Sequence, residues 1–349
     1  MPVRPPPLLS VVVNNYNGAL WLERCFASLR AQTIADQIEI IVADNASPDQ
    51  SAALAGTLMQ GWANGRVVEH AKDLGYCESN NRAARLAHGR YLFFLNNDTW
   101  LEPDCLEKLL QEAQAKGATI AAPLVLNYVD DTIQTAGEAG FDLFGLMSHQ
   151  ADWSATQEIF VAAGCCLLIE ASRFRELGGF DTQFMFYADE FDLCWRVWLT
   201  GGTVILVPAA RMHHRGGTGV NPQGREQILE NRTSDTKRYY ANRNNLLVLL
   251  KNGEHVLLTL ALFQLLLLAA EALFTGALTR RWSHIRRAYL EALRDCWRMR
   301  SHIFFQRRFL RKLRQRGDLW MLRFLRGRFN RWEELRRFLR FGSLKVDAK

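Results

Sequence analysis

Residues 73–104 read DLGYCESNNRAARLAHGRYLFFLNNDTWLEPD, and their reading decides the fold. The segment from Glu78 to Ala87 has the pattern of a helix. Tyr91–Leu95 is then an unbroken apolar run of the length of a buried strand. It stops at Asn96-Asn97-Asp98, three short polar side chains. A helix that feeds a buried strand ending in a polar cluster is one unit of a parallel sheet covered by helices. The same unit recurs upstream. Leu8–Val13 is apolar and β-branched and breaks at Asn14-Asn15-Tyr16-Asn17-Gly18. Leu20–Gln32 carries Leu20, Phe26 and Leu29 at helical spacing. Ile38–Val42 is a second strand, ending at Asp44-Asn45-Ala46-Ser47-Pro48-Asp49. Ser51–Gln60 predicts a helix and Val67-Val68 a weak third strand. This alternation predicts an α/β fold in which ligands bind beyond the carboxyl ends of the strands. The polar clusters at 14–18, 44–49 and 96–98 all lie there, so a nucleotide is expected against them.

The chain beyond is less regular. Phe160–Glu170 reads as a strand, Leu177–Asp181 as a turn, and Tyr187–Thr200 as a helix opening on Asp189-Glu190-Phe191-Asp192. Acids at a helix start suit its dipole. Trp195 and Trp198 on that helix are expected in the core. Thr203–Val207 is a further strand, and His213–Thr218 a loop.

The 349 residues carry a net charge of +7, but the charge is divided unevenly. Residues 280–349 hold 22 Lys and Arg against 6 Asp and Glu, or +16, which leaves −9 for residues 1–279. A strongly basic tail points to a polyanionic partner, nucleic acid or anionic membrane. Ahead of it, Val256–Leu278 is apolar for 23 residues and holds Gln264 and Glu271 but no Lys or Arg. It is long enough to cross a bilayer, though a mid-span carboxylate is unfavourable. A membrane-embedded or interfacial element, a single span and a buried helix all fit. In the tail, Trp282, Trp297, Phe304, Phe305, Phe309, Trp320, Phe324, Phe329, Trp332 and Phe338 interleave with arginine. Aromatic-rich basic helices suit an anionic membrane surface better than nucleic acid. Seven cysteines at irregular spacing are expected as reduced, buried thiols. The N-terminus shows no secretory signal pattern.

Four blocks now form a recognisable series: VVVNNYNG, IIVADNASPDQS, the segment from Asp73 to Asp104, and AAGCCLLIEASRFRELGGFDTQFMFYADEFDLCWRVWLTGG with MHHRGGTG after it. In this order the chain resembles glycosyltransferase family 2, and especially its bacterial rhamnosyltransferase-like members, over about residues 8–220. The segment YYANRNNLLVLLKN, with the apolar and basic stretches after it, resembles the membrane-proximal part of such enzymes. The resemblance implies a GT-A type nucleotide-sugar-binding fold with a mostly parallel central sheet, followed by an α-helical, basic, membrane-associating region. The division expected is a catalytic domain over 1–245 and a helical region over 246–349. It implies inverting transfer of a sugar, rhamnose by likeness, from a nucleotide-diphosphate sugar to a hydroxyl of a glycan or lipid-linked acceptor in cell-envelope polysaccharide synthesis. The expected location is the cytoplasmic face of the bacterial inner membrane, peripheral or shallowly inserted. A nucleotidyltransferase, or a nucleic-acid binder acting through the tail, is the alternative. The first is disfavoured because residues 14–18 offer no basic side chain.

Glycosyl transfer needs the leaving diphosphate neutralised, the nucleotide held and a proton removed from the acceptor. A divalent cation, Mg²⁺ or Mn²⁺, would serve the first need. The family's Asp-x-Asp metal motif is reduced here to Asn96-Asn97-Asp98, so Asp98 is the expected ligand. His213-His214 could supply a ligand to the metal or diphosphate, and His213 is the one similar to the family's histidine there. Asp44 resembles the nucleotide-holding acid, although an Asx turn explains it equally. Asn14, Tyr16, Asn17, Asp73 and Asn97 are expected to line the same crevice. Asp189-Glu190-Phe191-Asp192 resembles the family's Glu-Asp-x-Asp block, which makes Glu190 the expected base and Asp189 its rival. Asp181 and Asp192 are expected on the acceptor side, with Asp192 placed to orient Arg196 at i+4.

Overall fold

The computed structural model describes residues 6–62, 64–216, 232–327, 329–331, 336 and 345–347. Gly217, Thr218, Trp332 and Phe338, which the sequence singles out, lie outside the described residues.

Four parallel strands form one half of the sheet: β1 (Leu9–Asn15), β2 (Ile38–Asp44), β3 (Gly65–Glu69) and β4 (Tyr91–Asn96). They alternate with α1 (Leu22–Arg30), α2 (Ser51–Leu58) and α3 (Gly75–Arg85). Beyond β4 come α4 (Cys105–Lys116), β5 (Ile120–Asn127), β6 (Cys166–Glu170), α5 (Asp189–Leu199) and β7 (Val204–His214). Across the sheet the order is β7-β5-β6-β4-β1-β2-β3. Only β6 among these seven runs against its neighbours, β4 and β5. The expected mostly parallel α/β sheet is therefore present.

Alternation across the pleat, with both faces covered, explains why the runs of β1, β2 and β4 are mostly apolar at successive positions. Val12, Ile41, Leu92 and Phe94 pack into one layer with Phe174, Trp195 and Trp198. Val11, Val13, Ile40 and Phe93 pack into the other with Phe26, Leu106 and Leu109. The chain steps outward from β1 to β2 and β3, then crosses back to β4 on the other side of β1. That reversal opens a crevice at the carboxyl ends of β1 and β4. Register sets the contents, with Asn15 opposite Asp44 and Asn14 opposite Asn96.

Three boundaries differ from expectation. The strand foreseen over 160–170 is regular only over Cys166–Glu170, because residues 160–165 turn into the crevice region. The last sheet strand runs on to His214, so His213 and His214 sit on a strand and face opposite sides of it. The boundary expected at 245/246 falls inside α6 (Asp235–Asn252), whose Leu246–Leu249 enter the same core as Trp195 and Phe160. The helical region is not packed separately. Cys296, Ile303, Leu310, Met321 and Phe324 also belong to that core.

The apolar stretch forms α7 (Leu258–Thr279), long and apolar enough to cross a membrane by length and composition. It turns one face inward. Leu260, Ala261, Gln264 and Leu268 are buried, while Leu262, Phe263, Leu266, Leu273 and Phe274 are exposed. Gln264 and Glu271 are seven apart, hence on the same face. Glu271 is neutralised there by Arg331 at 2.7 Å, which answers the mid-span carboxylate. Several tail arginines also have a structural use. Arg316 donates to the carbonyls of Trp198, Gly201 and Gly202, and Arg314 to that of Asn252. The Trp198 and Asn252 carbonyls belong to the last turns of α5 and α6, and those of Gly201 and Gly202 to the turn that follows α5. All seven cysteines are buried and unpaired.

Candidate active site

The crevice floor is a polar network centred on Asn15. Its Nδ2 donates to Asp44 Oδ1 at 2.6 Å and Ser51 Oγ at 2.8 Å, and its Oδ1 accepts from Asn97 Nδ2 at 2.7 Å. Asn15 thereby ties the ends of β1, β2 and β4 together. Gly18 lets the chain pass, since a Cβ there would fall 2.0 Å from Asn15 Oδ1 and 2.5 Å from Asn97 Nδ2. Asp44 is 2% exposed. Its Oδ1 also accepts from Ser47 Oγ and its Oδ2 from the Ser47 amide. These bonds reach three residues along the chain, to Ser47, and hold the loop after β2. Asn14 Oδ1 accepts from Asn45 Nδ2, and Asn45 Oδ1 accepts from the Leu74 amide. Asp73 accepts from the Gly75 amide at 2.8 Å at the mouth of α3. Tyr16 and Asn17 are exposed at the rim.

At the end of β4, Asp98 is partly exposed and its Oδ1 lies 3.4 Å from His214 Nε2. The histidine named from the sequence, His213, is elsewhere. Its ring stacks on Trp100 at 3.5 Å between centroids, and its Nε2 meets Asp131 at 2.8 Å. One residue of register separates the two, and on a strand that reverses the face. His214 is well oriented for a cation. Gln134 Nε2 donates to Asn127 Oδ1 and the His214 carbonyl, which turns Gln134 Oε1 toward His214 Nδ1 at 2.7 Å. Nδ1 must then carry a proton, and Nε2 is the atom aimed at Asp98. Burial opposes charge on the ring, but Cys165 and Asp98 outweigh it and raise His214 to about 10, so without a cation the ring is protonated, and a bound cation would take the place of the Nε2 proton. Among the described residues no group of three or more His, Cys, Asp or Glu is arranged to hold a metal. A carboxylate and one imidazole still fit a cation whose remaining positions go to phosphate and water.

Across the crevice α5 opens on Asp189 and Glu190. The Glu190 carboxyl lies against Gly164, where an added Cβ would come 3.0 Å from Glu190 Cδ. Gly164 accepts from Tyr76 Oη at 3.1 Å, and Cys165 accepts from the Asn96 amide. The Gly164-Cys165 strip thus has the carboxylate pair on one side and the β4 terminus on the other. Burial raises both carboxyls. Asp189 moves to about 7, and Glu190, which also feels the charge of Asp189, moves well above its ordinary value. Asp189 is buried and Glu190 partly so, and two carboxyls this close hold a proton between them near neutral pH.

Asp181 and Asp192 are not at the crevice surface. Asp192 is fully buried. Its Oδ2 accepts from Arg196 Nε at 2.8 Å, as the i+4 spacing suggested, and its Oδ1 pairs with Lys251 and Asn252. Asp181 pairs with the same Lys251 and with His302 at 2.8 Å. Both acids pair with Lys251 on α6, and Asp181 also meets His302 on α8 (Arg300–Leu313), so together they dock these helices to the body. The acceptor-side expectation for these two is corrected, because their oxygens are spent on buried ion pairs. Gly164 and Tyr76 were not foreseen. Asn15 was expected only as one of the run Asn14–Asn17, and His214 only as the neighbour of the preferred His213.

The sequence model described as Glycosyl transferase family 2 matches residues 10–178. Residues 10–178 belong to glycosyltransferase family 2. The chain is 28% identical over 233 residues to the O-antigen biosynthesis protein RfbC of Myxococcus xanthus, covering 61% of this chain and 18% of that protein. It is 34% identical over 107 residues to the "Putative glycosyltransferase EpsH" of Bacillus subtilis, covering 31% of this chain and 30% of that protein. The chain therefore spans less than a third of either relative. Among solved structures, GalNAc-T7 with UDP, GalNAc and Mn²⁺ superposes with a TM-score of 0.57 at 18% identity, over 70% of this chain and 48% of that one. S. aureus TarS 1-349 in complex with UDP superposes with a TM-score of 0.53 at 12% identity, over 87% and 88%. At these identities the likeness establishes the fold, which is GT-A-like.

Proposed function

We propose that this chain is an inverting glycosyltransferase that moves a sugar from a nucleotide-diphosphate sugar to a hydroxyl of an envelope glycan or lipid-linked acceptor. The observation that carries the proposal is the arrangement around Gly164-Cys165. The Asp189–Glu190 carboxyl pair lies on one side of that strip, and the Asp98–His214 pair at the β4 terminus on the other. The polar floor of Asn14, Asn15, Asp44 and Asn97 receives the nucleotide, with Asp44 shaping the loop it rests on. Asp98 and His214 Nε2 would hold Mn²⁺ or Mg²⁺, and the imidazole favours Mn²⁺. Such a cation would neutralise charge on the leaving diphosphate.

The acceptor oxygen attacks the anomeric carbon as the bond from that carbon to the diphosphate oxygen breaks. The hydroxyl proton passes to the ionised member of the Asp189–Glu190 pair. Attack opposite the leaving group inverts the centre. Rhamnose is the sugar suggested by likeness. The test is a panel of UDP- and dTDP-sugars with MnCl₂, read by thermal shift and by nucleotide release. A ligand that binds the native state raises apparent stability. A folded sample that binds and cleaves no donor refutes the reading.

The exposed face of α7 and α8 supports a peripheral seat on an anionic membrane, at the cytoplasmic face of the inner membrane. Phe304 and Phe305 on α8 are exposed beside Arg300, Arg308, Arg311 and Lys312. Trp282 and Trp297 are exposed beside Arg281, Arg286, Arg294 and Arg298. Aromatic and cationic side chains sharing one surface suit the headgroup region. Flotation with vesicles containing phosphatidylglycerol tests it, with binding to DNA or RNA instead as the result against it.

A further inference from the structure

The loop that delivers the carboxylate pair holds an unusual backbone. Met185, Tyr187 and Ala188 have φ of +58°, +65° and +60°. None is glycine or asparagine, so nothing in the local sequence favours that conformation. Strained loops persist when the surroundings over-determine them. Here the surroundings are α6.

Asn244 is fully buried, and its Nδ2 converges on three loop carbonyls: Phe184 at 3.0 Å, Phe186 at 2.7 Å and Tyr187 at 2.8 Å. Arg243 Nε donates to Asn244 Oδ1 at 2.8 Å, which fixes the amide with its NH₂ toward the loop. Arg243 Nη2 donates to the carbonyls of Gln183 at 2.6 Å and Phe184 at 3.2 Å. The opposite side of the loop is held from α3, where the Tyr76 amide donates to the Met185 carbonyl at 3.0 Å. Tyr240 closes the end, its hydroxyl 3.4 Å from Met185 Sδ and its ring edge-on to Phe186. Asp189 follows directly. The carboxylate pair and its clamp both lie beyond residue 178, where the family match ends.

We propose that Arg243 and Asn244 are positioning residues for the Asp189–Glu190 pair, holding loop 183–188 in the left-handed conformation that sets Glu190 against Gly164. The inference rests on the reading of that pair as the base. Neither residue needs to touch substrate. Their buried donors are spent on loop carbonyls, and removing them lets the loop relax to ordinary φ values and withdraw the carboxylates.

The test compares the full chain with Asn244→Asp, which keeps shape but replaces the donor with an acceptor. Arg243→Lys serves as a second, milder variant should the first not fold. Hydrogen exchange by mass spectrometry is read with and without UDP and MnCl₂, together with calorimetric UDP affinity and nucleotide release from the donor panel. The expected result is at least tenfold faster exchange confined to residues 183–190, UDP affinity within about twofold, and nucleotide release reduced at least tenfold in kcat. The acid limb of the rate profile should also move to lower pH as water reaches the pair. Glu190→Gln separates the two ideas. If Glu190→Gln leaves release intact, the base reading fails, while local exchange still decides the clamp. If Glu190→Gln abolishes release and the clamp variants change neither exchange nor kcat, positioning is overturned. Faster exchange throughout the body overturns it as well, since the residues would then be merely structural.

Discussion

Lys251→Met is the perturbation whose outcome the structure constrains most tightly. Lys251 is 1% exposed and pairs with two buried acids, Asp181 and Asp192 at 2.8 Å for the latter. Methionine nearly matches its volume, so the change removes charge without opening a large cavity. Arg196 and Asn252 remain for Asp192 and His302 for Asp181. Removing one partner of a buried pair typically costs about 3–5 kcal/mol, because the other charge is left unpaired. With partial compensation from His302, we expect about 3 kcal/mol, or a fall in Tm of roughly 5–10 °C for a chain of this size. The pH dependence carries the sharper signature. Burial pushes Asp181 upward, but Lys251 and His302 override it and hold the carboxyl well below its ordinary value. A carboxyl depressed in the folded state contributes stability above its unfolded pKa of about 4, lost as pH falls toward the folded value. Without Lys251, burial dominates and raises the carboxyl, so the variant alone loses stability as pH rises above about 4, the gap widens toward pH 8, and it narrows only below pH 4 as wild-type Asp181 begins to protonate. Urea denaturation at pH 4.5, 6 and 8 would show it. A loss below about 1 kcal/mol, or one independent of pH, would refute the argument that this lysine is the counter-charge for both acids.

Other outcomes follow from the site. Glu190→Gln should keep UDP affinity and lower transfer by roughly 10²–10⁴, the usual worth of a general base. In the wild type the rate should rise with pH through about 7, because a base must be ionised and burial raises Asp189 to that value; an acid limb near pH 4 contradicts a buried pair. Asp98→Ala and His214→Ala should each weaken Mn²⁺-dependent UDP binding, whereas His213→Ala should lower Tm through loss of the Trp100 stack and leave Mn²⁺ dependence intact. Equal loss for the two histidine variants, read by calorimetry with and without MnCl₂, would argue against His214. Gly164→Ala should lower kcat with little change in Tm, since its Cβ displaces the Glu190 carboxyl at 3.0 Å; unchanged turnover would place the reacting groups elsewhere.

Much of the first half was legible because local pattern and tertiary role coincide there. The runs of β1, β2 and β4 are apolar on both faces but for Ser10 and Glu39, since these strands are covered on both sides, while edge strand β3 is only half-buried and reads weakly; each polar break marks a strand end. The second half was harder for a physical reason. The antiparallel β6 is short and its lead-in turns irregularly, so Phe160–Glu170 reads as a longer strand than it is. Acids behave similarly in sequence whether they face a ligand or a buried lysine. Asp181 and Asp192 read like site residues until Lys251 and His302, far along the chain, are seen to hold them.

The sequence alone determined the α/β order, the polar crevice, the acidic pair at the start of α5 and the division of charge between body and tail. These follow from short-range periodicity and composition, which need no third dimension. Tertiary structure decided which histidine meets Asp98, because a strand's two faces differ by one residue. It decided that tail arginines cap the helices of the body, because a helix end shows its orphan carbonyls only to whatever packs over it. It also placed the clamp on the loop before Asp189 in a helix some sixty residues later, a contact that long-range packing makes and local pattern cannot encode.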